Sequence, residues 1–158
     1  MDLADRLTIR PMSSDEGALV RAILHRIGWE EQYVRAATAN VLRFADSSST
    51  RAAFVAEIAG DFAGFIFVEL HQWNQLAQIE GLAVDPARQR QGVAQALVQR
   101  SELFAQRAGA RGIFVDTPTD NLSGRAFYMA CGYQEAYTMP RYYEDALDGV
   151  TYQKFFAP

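Results

Sequence analysis

Residues 79–98 read Ile79-Glu80-Gly81-Leu82-Ala83-Val84-Asp85-Pro86-Ala87-Arg88-Gln89-Arg90-Gln91-Gly92-Val93-Ala94-Gln95-Ala96-Leu97-Val98: a strand, a basic and glutamine-rich turn, and a helix that opens on Gly92. A turn that runs into a helix N-terminus points several unpaired backbone N–H groups the same way, and the helix dipole adds partial positive charge there. Small residues at Gly92 and Ala94 let an anion come close to that backbone. The turn therefore reads as a phosphate cradle. A Walker A loop needs Gly-Lys-Ser/Thr and a dinucleotide fingerprint needs three spaced glycines after an early strand. Neither is present.

The rest of the chain supplies the elements around this unit. Leu7-Thr8-Ile9-Arg10 alternates like a first strand, and Ser13 or Ser14 is placed to cap a helix bearing Leu19, Val20, Ile23, Leu24 and Ile27, which Gly28 ends. A second helix is expected from about Trp29 to Ala45. Residues Arg51 to Ala59 and Phe62 to Trp73 are rich in β formers, with a hairpin turn at Gly60-Asp61. The fourth strand covers about Leu76 to Val84, where Gly81 marks a candidate bulge that splays it from its neighbour. A helix from Gly92 to Ala108, a strand from Gly112 to Thr117, a helix from Leu122 to Cys131 and a hairpin of Tyr133 to Tyr142 with Val150 to Phe156 complete the order. The helix between strands four and five makes one parallel crossover in a mixed α+β sheet.

Composition narrows the function. A length of 158 residues with 49% hydrophobic content suits a single domain over residues 1–158. A net charge of -4 and the absence of a basic run outside Arg88 to Arg90 argue against a nucleic-acid binder. Met1 to Arg6 carries no apolar leader, and the apolar run Phe62 to Val68 is too short to cross a bilayer, so no membrane partner and a cytoplasmic location are expected. The lone Cys131 reads as a buried structural thiol. His25 and His71 have no ligand-spaced neighbours, so no metal is expected.

Gln89, Gly92 and Ala94 match the pattern Gln/Arg-x-x-Gly-x-Gly/Ala. On that turn, and on the later block Asn121-Leu122-Ser123-Gly124-Arg125-Ala126-Phe127-Tyr128-Met129-Ala130-Cys131-Gly132-Tyr133, the chain resembles the GNAT superfamily of acyl-CoA-dependent N-acyltransferases. The likeness is firm from about Gln78 to Tyr133. The resemblance implies a mixed, mostly antiparallel central sheet with a splayed pair of strands 4 and 5 and helices on both faces. It implies acetyl-CoA as co-substrate, its pyrophosphate held by backbone N–H groups of Arg90, Gln91, Gly92, Val93, Ala94 and Gln95, with the Arg90 side chain also free to pair with phosphate oxygens and Gln89 a further cofactor-binding residue of the turn. The pantetheine arm would lie along Leu82, Ala83 and Val84, with Asn121 touching pantetheine or phosphate unless it serves only as a helix cap. Tyr128 matches the family tyrosine thought to protonate the leaving thiolate, against a reading as core packing.

The base is open between two carboxylates. Glu80 ranks first because many relatives keep a glutamate there that acts through ordered water. Asp116 ranks second: bacterial ribosomal-protein acetyltransferases carry a glutamate at its position, and aspartate is one methylene shorter. Either could instead be structural. A lysine amine is only about 0.04% neutral at pH 7 and an α-amine about 10%, so the demand on a base depends on the acceptor.

Trp29, Glu30, Glu31, Tyr33, Trp73, Tyr137, Tyr142, Tyr143, Glu144 and Asp145 are candidates to line a pocket for an amine with an apolar body. Arg141 to Ala146 looks similar to the tail of N-terminal peptide acetyltransferases, so the acceptor is a small amine or a peptide N-terminus. A non-catalytic acyl-CoA sensor on the same scaffold is the alternative. The resemblance leaves a homodimer open, although no surface in the sequence points to one.

Overall fold

A computed structural model describes residues 6–158; the expected lack of a leader falls largely on residues 1–5, outside them. Seven strands form one sheet in the order β1-β2-β3-β4-β5-β7-β6: β1 Leu7–Pro11, β2 Arg51–Ile58, β3 Asp61–His71, β4 Leu76–Val84, β5 Gly112–Pro118, β6 Gln134–Glu144 and β7 Leu147–Phe155. Among the described residues only β4 and β5 pair in parallel, joined by the expected crossover helix. From residue 7 on, the helices are α1 Gly17–Ile27, α2 Glu31–Phe44, α3 Val93–Arg107 and α4 Leu122–Ala130, with a 3-10 turn at Pro86–Arg88.

β2 and β3 are buried on both faces, so they read as continuous apolar runs. Ala53, Val55, Phe65 and Phe67 turn to one side and pack with Val20, Ile23 and Leu24 of α1 and Val34, Val41 and Phe44 of α2. Ala52, Phe54, Ile66 and Val68 turn to the other and meet Val93, Leu97 and Val98 of α3 and Tyr128 of α4. The helices thus lie on both faces, as expected. No helix among the described residues is long and apolar enough to cross a membrane.

The bulge falls where the sequence placed it. Phe67 pairs with Gly81 and Val68 with Ile79, leaving Glu80 as the extra residue of β4. A Cβ at Gly81 would stand 3.0 Å from the Phe67 ring, which explains the glycine. The β4–β5 ladder runs only from Leu76↔Gly112 to Ile79↔Val115, and beyond it the strands part.

Several local expectations are corrected. Neither Ser13 nor Ser14 caps α1; the Glu16 carboxylate accepts from the Ser13 N–H at 2.7 Å and from the Arg10 guanidinium at 2.6 and 2.8 Å. Arg10 on β1 also pairs with Glu57 on β2, so this acid is recruited to a cation rather than to a helix end. The second helix begins at Glu31, because the Trp29 N–H bonds to Leu24 O to close α1 and Glu30 is extended. The β2–β3 turn is Ala59-Gly60, with φ of 52° and 88°, the left-handed pair a two-residue hairpin needs. Strand β3 ends at His71 rather than Trp73. The last hairpin is longer than expected, closing at Asp145-Ala146. Cys131 is half-buried at the end of α4 rather than fully enclosed.

Candidate active site

Where β4 and β5 part, a cleft of about 610 Å³ opens between the two layers of helices. Its lining joins Glu80 and Leu82 of β4, Asp116 and Thr117 of β5, Asn121 and Tyr128 of the α4 region, Trp29, Glu30, Tyr33 and Asn40 around α2, and Tyr143 of β6. Tyr128 belongs to the core on the α3 side, whereas α2 covers the opposite face. The gap between the strands is what lets groups from both faces meet.

Glu80 is half-buried, and burial is the main reason its carboxyl is pushed up to about 6. The neighbouring Glu69 carboxylate adds to the rise, and Arg43 and His71 oppose it. Arg43 bonds to Glu69 at 3.0 and 3.3 Å and reaches Glu80 only at 3.9 Å, so its charge is shared unequally. A carboxyl poised there is an effective proton acceptor near neutral pH. Asp116 is held differently. Its two oxygens accept hydrogen bonds from the Thr151 and Tyr142 hydroxyls.

Tyr128 is only 7% exposed and lines the cleft, and its hydroxyl has no hydrogen-bond partner among the described residues. Burial raises its pKa above the ordinary phenol value. Its ring stacks on Tyr152 at 6.1 Å and meets Phe127 edge-on at 5.3 Å. Arg125, one turn earlier, fixes α4 through the Tyr152 hydroxyl, Thr119 O and Glu135, each at 2.9 Å. Core packing and an active-site role are thus compatible for this residue.

Asn121 caps α4: its side-chain oxygen accepts from the Gly124 N–H at 3.2 Å, and its amide donates to Thr117 at 2.9 Å. Leu82, Ala83 and Val84 lie on the stretch of β4 that has lost its β5 ladder. Only Leu82 of these faces the cleft, while Ala83 is buried on the α1–α2 side. Their outer backbone edge is free for an extended ligand.

The turn before α3 lies outside the cleft lining. Gly92 caps the helix at φ 81°, and a Cβ there would meet nothing within 4 Å, so the glycine serves the backbone conformation and leaves open space above it. The N–H groups of Gln91, Gly92, Val93, Ala94 and Gln95 have no protein acceptor among the described residues. Arg90 is exposed and forms no ion pair among those residues. Gln89 reaches back to Val84 O at 3.4 Å. These are the features an acyl-CoA pyrophosphate needs, so the turn fits that group.

Some supporting residues were missed in the sequence. Asp85 shapes the turn by accepting from the Ala87 N–H at 3.0 Å and binds Arg26 of α1 at 2.7 Å. Glu69 and Arg43 adjust the proton affinity that burial gives Glu80, and an acid within the apolar run Phe65 to Leu70 was the available signal. Of the proposed acceptor-pocket residues, Trp29, Glu30, Tyr33 and Tyr143 line the cleft. Trp73 is 87% exposed in the β3–β4 turn, and Glu31 is engaged by Arg21 and His25. No cluster of three or more His, Cys, Asp or Glu suited to a metal occurs among the described residues.

With this geometry in view, the family model for Acetyltransferase (GNAT) matches residues 21–133. An uncharacterized N-acetyltransferase of Methanocaldococcus jannaschii is 31% identical over 98 residues, 61% of this chain and 62% of that protein. A streptothricin acetyltransferase of Escherichia coli is 33% identical over 89 residues, 56% of this chain and 50% of that protein. The chain therefore spans less than two thirds of the length of either relative. Among solved structures, Ard1 from Thermoplasma volcanium aligns with a TM-score of 0.83 at 25% identity over 97% of this chain and 99% of that one. A Bacillus anthracis structure assigned as a streptothricin acetyltransferase, in complex with acetyl coenzyme A, aligns at 0.66 with 22% identity over 70% and 66%.

Proposed function

This chain belongs to the GNAT acetyltransferase family, and from that premise we propose that it transfers an acetyl group from acetyl-CoA to a primary amine by direct attack of the amine on the thioester. The observation that carries the reading is the cleft at the parting of β4 and β5, which brings a proton acceptor and an unpartnered proton donor together.

Acetyl-CoA supplies an activated acetyl group and a thiolate leaving group. The open N–H groups from Gln91 to Gln95, with the Arg90 side chain beside them, hold its pyrophosphate. Leu82, Ala83 and Val84 offer a free strand edge to its pantetheine arm, and Asn121 borders that arm while capping α4. Glu80 accepts the proton that the acceptor ammonium must shed, directly or through water, so that the nitrogen attacks as the neutral amine. Asp116, with both oxygens occupied by hydroxyl donors, is better suited to orienting the amine. Tyr128 keeps its proton across the working range, because burial raises its pKa, and delivers it to the thiolate. The new C–N bond replaces the C–S bond, the proton that the nitrogen loses on acylation passes through solvent and restores Tyr128, and the products are an N-acetyl amine and the free thiol. Family membership favours turnover over a non-catalytic sensor.

The test is to add acetyl-CoA and pooled amines, from amino acids and polyamines to aminoglycosides and short peptides, to the purified protein. Free thiol release is followed, with calorimetry of acetyl-CoA binding alongside. Acceptor-dependent release is expected; absence of acetyl-CoA binding would overturn the reading.

A further inference from the structure

The ionisable groups facing the cleft are unbalanced in sign. Glu30, Glu80, Asp116 and Asp120 line it, and among the described residues its lining contains no Lys, Arg or His. Glu30 and Asp120 have no ion-pair partner among the described residues, and the partners of Asp116 are neutral hydroxyls. Arg43, the cation nearest Glu80, approaches from behind the lining and is drawn to Glu69 at 3.0 Å. Behind the wall, Glu144 accepts from the Tyr33 hydroxyl at 3.0 Å and from Gln32 at 3.2 Å, adding negative charge on the same side.

One ammonium at Glu80 and Asp116 leaves the outer carboxylates unmatched. The wall beside Glu30 is aromatic: Trp29 follows the closing turn of α1, and the Tyr33 and Tyr143 rings meet edge to face at 6.5 Å. Such a wall beside an acid suits a second cation, through ring faces and charge together. A carboxylate on the acceptor would meet only like charge. The Tyr128 hydroxyl, on a side chain 7% exposed, lines the same cleft without a partner among the described residues, which marks the cleft as space that a ligand enters.

We propose that the acceptor is a small diamine-like molecule, one amine being acetylated while a second, unreacted cation rests against Glu30, Trp29 and Tyr33, and that acceptors bearing a carboxylate are disfavoured. This rests on the acetyl transfer proposed above. It narrows the acceptor by chemistry rather than by size.

Two matched pairs test it by kcat/KM from thiol release: 1,5-diaminopentane against pentylamine, and lysine amide against lysine. The first member of each pair is expected to be better by about tenfold, beyond the twofold that two equivalent amines give the diamine. Glu30→Gln should shrink both ratios, and acetyl-CoA calorimetry on that variant reports whether its fold is intact. Should the partners of each pair react equally well, transfer would stand and the diamine assignment would fall. Preference for lysine over lysine amide would also overturn it. Peptide N-termini lacking a second cation, if they outperform the diamine, would contradict it too. No release with any amine would sink the transfer reading and this inference together.

Discussion

Ile79 and Val115 form the last rung of the parallel β4–β5 ladder, and the next residue on each strand is a carboxylate that lines the cleft, Glu80 on one side and Asp116 on the other. The symmetry is only positional. Glu80 is the extra residue of a bulge and sits beside a second acid, whereas Asp116 stays in register with Thr151 of β7 and is hydrogen-bonded by it. In the proposed mechanism that difference favours Glu80 over Asp116 as the proton acceptor.

Replacing Glu80 by Gln should lower kcat/KM by about 10²- to 10⁴-fold. The wild-type profile should rise with pH through about 6 as Glu80 ionises, and that limb should vanish in the variant. Asp116→Asn removing the limb instead would reverse the two roles.

The same raised pKa has a consequence for stability. The folded protein binds a proton at Glu80 more readily than the unfolded chain, so this group favours folding at low pH and the contribution is lost as pH rises from about 4.5 to about 6. Thermal melts of Glu80→Gln against wild type should therefore shift in favour of the variant between pH 4.5 and pH 7. A difference in melting temperature that does not change over that window would count against a desolvated Glu80.

Glu16 runs the opposite way. The Arg10 guanidinium holds its carboxyl below the ordinary range, so its contribution is present at neutral pH and lost as pH falls through the lowered value. Glu16→Gln should cost about 1–3 kcal/mol at pH 7 by urea unfolding, since it weakens charged hydrogen bonds joining β1 to the start of α1. The deficit should narrow in acid.

At the phosphate turn, Gly92→Ala imposes a left-handed conformation on a residue with a Cβ, a cost of about 1–2 kcal/mol. The turn should relax and the N–H groups lose their common aim. Calorimetry should show acetyl-CoA binding weakened several-fold or more. Unchanged affinity would remove the turn from the cofactor site.

The crossover unit was the most legible part of the chain because its signals are local. The Leu76 to Val84 strand, the glycine that opens α3 and the bulge at Gly81 each depend on neighbouring residues. Tyr128, Glu80 and Asp116 were legible as candidates through motif position, and all three line one cleft. What sets their chemistry was not. Glu69 and Arg43 reach Glu80, and Thr151 and Tyr142 reach Asp116, from other elements, and no sequence spacing encodes those contacts. The end of α1 shows the same limit on a smaller scale: an apolar Trp29 looked like helix, but tertiary closure of the preceding turn took its N–H.

The most direct measurement is thiol release by Tyr128→Phe at saturating acetyl-CoA and acceptor, with acetyl-CoA affinity measured on the same preparation. The ring fills the same place between Tyr152, Phe127 and Tyr133, so the fold and the affinity should survive. Turnover should fall by about 10²-fold or more, as expected for loss of a proton donor to the leaving thiolate. Turnover at the wild-type level would contradict acyl transfer through this cleft with Tyr128 as the acid.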